Sequence, residues 1–238
     1  MKASLEKWLA HSVTGAYAKS YYRTIYFHHA GPAVDAAFEK YLSSMAAGID
    51  GYRKSRRVFP VMIGMEMLDR EACERVAAKL GGTPIFSSET YDMYQLVSIL
   101  RASDRILSSR YHAIVTSMPA GVPSAGVTMD ERIRNLMRER GHEHLLMRVD
   151  EPDLAGKIVA ALETLDREAD EIRDAMPRTV ARNLQLMARM GVYFEEQVAR
   201  RFPEFPIRQG VLSWEDYLPP LSPGICRLLE ERSGAVTA

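Results

Sequence analysis

From residue 22 onward the chain alternates short runs rich in β-branched and aromatic residues with longer segments whose apolar positions recur every three or four residues. The first kind of run fits a strand and the second an amphipathic helix, and their alternation is the pattern of a parallel sheet with helices on its faces. RTIYFHHAG (23–31) reads as a buried strand ending in polar residues, followed by a long helix over AVDAAFEKYLSSMAAGIDGYRKS. FPVMIGME (59–66) reads as the next strand. Its helix is expected to start with Asp69 as N-cap, and REACERVAAKLGG ends in the glycine pair that suits a helical C-cap. TPIFSS makes a third strand, and Asp92 is placed to cap a helix over MYQLVSILRAS. DRILSSRYH, a helix through AIVTSMPAG, the strand PSAGVTM and the helix DERIRNLMRERG complete five strand-helix units within 22–141.

After LLMRV the pattern changes, because 151–202 is helix-compatible almost throughout, with Pro177 as the expected break. FPEFPIRQGVLSWEDYLPPLSPG is Pro-rich and reads as irregular, with Trp214 and Tyr217 as anchors onto the body. Four sections result: an N-terminal helical segment (1–21), an α/β domain (22–148), a helical section (149–202) and a Pro-rich tail (203–238). The Met-rich stretch MPRTVARNLQLMARM reads as a packed helix face, and YRKSRR as a solvated helix end whose cations suit the helix dipole. No internal repeat, low-complexity tract or sustained heptad pattern is visible.

Composition adds limits. The 238 residues are 47% hydrophobic, enough for a substantial core, and 31 basic side chains balance 31 acidic ones. A neutral chain offers no long-range field toward nucleic acid or an anionic membrane, so any anion site must be local. Cys73 and Cys226 lack metal-ligand spacing and suit a reducing compartment, which makes the cytoplasm the expected location. No run approaches the roughly 18 apolar residues of a membrane helix.

In a parallel α/β sheet, ligands collect at the carboxyl ends of strands. That rule selects His28, His29 and Gly31 after the first strand, Glu66 after the second, and Ser87, Ser88 and Glu89 after the third. Ser109, Arg110 and His112 follow the fourth strand, and Asp130 the fifth. Arg110 offers a permanently charged fork for carboxylate or phosphate, and His112 can exchange a proton near neutral pH. Together they suit an anionic substrate undergoing acid-base chemistry. The plainer reading pairs Arg110 with a local carboxylate and has His112 cap or pack the helix start, and the residues alone leave both open. Of His28 and His29, neighbours on a strand, one faces any cleft. His142 and His144, in GHEHLL, read as solvated loop residues, and no metal site is apparent. Neither GxGxxG, GxxxxGK[ST] nor GxSxG occurs.

Residues 92–135, DMYQLVSILRASDRILSSRYHAIVTSMPAGVPSAGVTMDERIRN, resemble the polysaccharide pyruvyl transferase family. The likeness lies in the order of SDRILSSRYHA, AGVPSAGV and DER, with FPVMIGMEMLDREACERVAAKLGG upstream resembling the family's strand and acidic helix start, so it covers roughly 22–145 and extends more weakly through the following helices. The resemblance implies a glycosyltransferase-B-like architecture of two Rossmann-like halves with the active site between them. This chain matches the C-terminal half: a Rossmann-like parallel sheet flanked by helices, with a helical C-terminal extension. It implies transfer of a pyruvyl group from phosphoenolpyruvate to a sugar in the synthesis of cell-surface or exported polysaccharide. Phosphoenolpyruvate is then the donor substrate, a glycan the acceptor, and no further cofactor is expected. Carried onto this chain, Arg110 binds the donor's phosphate or carboxylate and His112 acts as general acid or base, with His28, Ser109, Glu89, Asp130 and Arg132 lining the substrate. Arg132 stands where the family usually has lysine. The glycine-rich turn of the family's first half is absent, so that half is expected either from a partner chain or from a longer protein of which this sequence is a fragment. Two alternatives stay open: a non-catalytic binding or assembly module of glycan biosynthesis, and a glycosyltransferase-B-like domain using a nucleotide-sugar.

Overall fold

The computed structural model describes residues 32–128, 131–206 and 212–227. The expected strand over 23–31, with His28, His29 and Gly31, lies outside the described residues, as does Asp130. The first described element is helix α1 (Pro32–Ser55), followed by β1 (Met62–Gly64), α2 (Asp69–Lys79), β2 (Ile85–Ser87) and α3 (Met93–Arg101). Then come β3 (Ile106–Ser108), α4 (Tyr111–Ser117), β4 (Ser124–Thr128), α5 (Glu131–Glu139), β5 (Leu146–Arg148) and α6 (Leu154–Arg201). Among the described residues every strand pairing is parallel: β1 with β2, and β3 with β4 with β5. Each helix that links paired strands is a crossover, so the fold is mixed α/β with short parallel sheets between helices.

The strands are shorter than their apolar runs because pairing stops where the chain turns toward the next helix. All five residues of β4 are buried, which makes it the centre of the core. Gly126 is required there, since a Cβ would stand 2.6 Å from Cγ2 of Ile133 on α5. Gly48 plays the same part where α1 crosses α6, since a Cβ there would stand 2.7 Å from Ile158. The main core gathers Leu42 of α1, Ile114 of α4, Val127 of β4, Met137 of α5, and Ile158 and Leu165 of α6. Ile63 and Met65 of the β1 segment pack with Leu100, Ile106, Ala113 and Val122, which brings β1 beside β3.

Several local expectations meet specific outcomes. Asp92 forms a full capping box with Gln95, while α2 begins one residue after its N-cap Leu68, leaving the Asp69 carboxylate for other work. Gly81 and Gly82 adopt positive φ after α2, as a C-cap requires. Pro177 does not break α6, which runs for 48 residues. Ile172, Met176, Val180 and Ala181 on either side are buried, and that packing offsets the one hydrogen bond the ring removes. In the Met-rich stretch Met176 is buried, but Met187 and Met190 are exposed. The basic run at the end of α1 is partly engaged: Arg53 donates to the Leu80 carbonyl and Arg56, just past the helix, to Asp166. Among the described residues no helix is long and apolar enough to cross a membrane.

Candidate functional site

The carboxyl ends of β1 and β3 are tied by one arginine. Ser108 closes the turn after β3, its Oγ accepting the Arg110 backbone N–H at 2.9 Å and donating to the Arg110 carbonyl at 3.2 Å. This fixes Arg110 in an extended conformation as N-cap of α4. Its side chain reaches across to the β1 turn, where Nε donates to Oδ1 of Asp69 at 2.8 Å and Nη2 donates to the same oxygen. Nη1 stands 3.4 Å from Oε2 of Glu66. The other Asp69 oxygen accepts the Glu66 backbone N–H at 3.1 Å, so the carboxylate is aimed by its own turn. Gly64 opens the space beneath, because a Cβ there would meet Asp69 at 3.3 Å and Ser87 at 3.5 Å.

Electrostatics follow this geometry. Burial alone would weaken the proton affinity of Arg110, but the hydrogen bonds and charge of Asp69, with Glu66 behind it, turn the net shift upward and hold the guanidinium charged. The arginine side chain is still 36% exposed, against 14% for Asp69, so the fork retains an open face. Tyr41 of α1 is hydrogen-bonded to the side chain of Ser109, and burial raises its proton affinity against the opposing pull of that bond and of Arg110. Cys73, one turn into α2, is buried and its thiol is pushed up to about 11, by burial first and then by the Asp69 charge. It is an unreactive thiol. Ser88, after β2, keeps a buried hydroxyl with no hydrogen-bond partner among the described residues.

Of the residues nominated from sequence, Glu66, Ser109 and Arg110 meet here. His112 is the second residue of α4 and exposed, its carbonyl accepting the Thr116 hydroxyl at 2.7 Å while its ring, edge-on to Tyr111 at 5.6 Å, makes no hydrogen bond among the described residues. Glu89 is held by Arg70, which also donates to Glu74. Arg132 lies in the first turn of α5 and is exposed. His142 departs from the solvated loop expected of it: its Nδ1 is buried without a partner, while His144 bonds Glu168 at 2.7 Å. Sequence reading missed Tyr41 and Asp69. The spacing Glu66-x-x-Asp69 after a strand was the available signal for Asp69, while Tyr41 reaches the site only through tertiary packing.

The arrangement presents a fixed guanidinium with two carboxylates behind it, two serine hydroxyls beside it and an imidazole on the next helix. It can hold an anion on the open side of Arg110, and the described residues contain no group of three or more metal-ligating side chains. Comparison of the chain with protein-family models, curated proteins and solved structures finds no match.

Proposed function

We propose that this chain is the donor-binding half of a polysaccharide pyruvyl transferase-like enzyme that transfers a pyruvyl group from phosphoenolpyruvate to a sugar. One observation carries the reading: a partly exposed arginine, braced by Asp69 and Glu66, stands at the carboxyl end of β3 within the motif that resembles that family. Asp69 orients the fork through Nε and Nη2, and the donor's carboxylate or phosphate takes the open face, displacing the longer Glu66 contact. A sugar hydroxyl adds to the enol carbon C2, C3 takes a proton, and phosphate leaves as the second sugar hydroxyl closes the ketal. His112 is the group assigned to the proton transfers, and Arg110 to the charge developing on the donor. Glu89, Asp130, His28 and Arg132 belong to the wider substrate surface in this reading. A second Rossmann-like half supplies the acceptor wall.

Calorimetric titration with phosphoenolpyruvate tests it, with a nucleotide-sugar titrated in parallel. Binding by the parent, lost in Arg110→Ala and retained in His112→Ala, is the expected result. With the acceptor half added, His112→Ala should lose turnover while keeping donor binding. No binding by the parent, or equal binding by Arg110→Ala, removes the donor site. The competing reading, a non-catalytic assembly module, rests on the ion pair itself, since Asp69 and Glu66 already balance Arg110. It predicts no donor binding at all.

A further inference from the structure

Helix α6 is 48 residues long, about 72 Å at 1.5 Å per residue, roughly twice what a small domain can cover. Its core residues run from Leu154 to Ala181, just past its midpoint. In its second half one face is closed: Ala188 is fully buried, and at Gly191 a Cβ would stand 3.2 Å from Tyr217, where the 3-10 turn Trp214–Tyr217 folds back onto the helix. The face turned away from it is open at Leu186, Met190 and Tyr193, and Met187 and Phe194, one turn before and after Gly191, form its margin, where Phe194 lines a cavity with Gly191, Phe205 and Tyr217. Met190 is 68% exposed, Tyr193 63% and Phe194 71%, with Leu186 and Met187 about half exposed beside them. Isolated exposed apolar side chains need no explanation, but five within nine residues on one side of a helix mark a contact surface.

The order of residues on this face selects its occupant. Asn183, Leu186, Met190, Tyr193, Gln197 and Arg200 follow the alternating three- and four-residue spacing of a coiled-coil seam. Met187 and Phe194 flank it on one side, Arg189 and Glu196 on the other. Neither Arg189 nor Glu196 has an ion-pair partner among the described residues. When the helix is laid against an antiparallel copy of itself with a two-fold axis between residues 191 and 192, Met190 faces Tyr193 and Leu186 faces Gln197. On one flank Met187 then meets Phe194, and on the other Arg189 meets Glu196, each pair occurring twice by symmetry. One register therefore joins Met190 to Tyr193 at the centre of the seam, leaves the polar Asn183, Gln197 and Arg200 toward its ends, and matches the apolar flank and the charged flank together, which is the self-complementarity of a two-fold interface. We infer that the distal half of α6 is a homodimerisation surface whose occupant is the same helix of a second copy, antiparallel. This inference does not depend on the donor-site reading.

Sedimentation velocity on the full chain, with a charge-reversal set, tests it. The parent should sediment as a dimer. Glu196→Arg and Arg189→Glu each place like charges opposite one another twice and should weaken association about tenfold. The double variant Arg189→Glu/Glu196→Arg should return to parental affinity, and an equimolar mixture of the two single variants should associate where neither does alone. Both positions are exposed, and circular dichroism should show unchanged helix content. A monomeric parent, which would leave the face to residues 1–31 or to another protein, overturns the inference. So does a dimer indifferent to Glu196→Arg, or a double variant that stays weakened.

Discussion

Strand β3 has an arginine at each end, and the two are paired alike but placed differently. Arg105, before the strand, donates to Asp166 on α6 and to the hydroxyl of Tyr52, whose ring it covers at 5.8 Å. Asp166 also accepts Tyr52 at 2.7 Å and Arg56 at 3.1 Å. Arg110, after the strand, pairs with Asp69 and Glu66. At the amino edge the groups converge inward and bind α1 and α6 to the sheet, with Arg140 donating to Ser124 and His144 bonding Glu168 nearby. At the carboxyl edge they converge around an open face beside the Ser108 and Ser109 hydroxyls and the exposed His112 imidazole. Pairing therefore does not distinguish a structural arginine from a site arginine. The edge of the sheet and the company each one keeps do.

Breaking the amino edge should have the largest effect. Asp166→Ala leaves Arg105, Arg56 and the buried Tyr52 without their shared acceptor and should cost about 2–3 kcal/mol in urea unfolding. Arg110→Met, which removes one cation from two partly exposed carboxylates, should cost no more than about 1 kcal/mol. Equal losses would erase the distinction between the edges. The amino edge should also be acid-sensitive. Burial, then the charges of Arg140 and His144, lower His142 to about 4 from its usual 6.5. Below pH 6.5 the unfolded chain takes up a proton that the folded one refuses, so stability is full above 6.5, falls as pH drops toward 4, and levels off beneath. The drop should be roughly 1–3 kcal/mol and should vanish in His142→Asn, measured as urea midpoints across that range. A flat profile in the parent would place His142 in contact with water.

The two edges were also unequally legible. Alternation of short apolar runs with helical periodicity was enough for the parallel α/β class, and local chemistry was enough for the Asp92 cap and the glycine pair after α2, because those signals are contained within a few residues. Pro177 misled, since its cost is local while the packing of Met176 and Val180 that overrides it is not. The carboxyl edge announced Arg110 through a general rule about strand ends, though not that Asp69 would hold it. The amino edge was invisible: Arg105, Tyr52 and Asp166 come from three distant parts of the chain, and no spacing joins them. The seam on α6 was hidden for another reason. Its apolar residues look like core residues until the structure shows that nothing described covers them.

The smallest expected effect isolates the carboxyl edge. Glu66 is 43% exposed and stands 3.4 Å from Nη1 of Arg110, while Asp69 holds the other two nitrogens of the fork through one N–H each. A bound anion must displace or tolerate the Glu66 charge, and none of the core depends on it. Glu66→Gln should therefore tighten phosphoenolpyruvate binding about three- to fivefold by calorimetry, with unfolding free energy unchanged within about 0.5 kcal/mol. Because the charge is solvent-facing, the gain should shrink as salt is raised toward ~1 M, where the screening length falls to about 3 Å. Asp69→Asn should do the opposite, loosening the fork and weakening binding despite removing a like charge, since orientation is what that carboxylate supplies. Equal changes in the same direction from both variants would mean that the two carboxylates act only as charge, and that the fork is not held for a ligand.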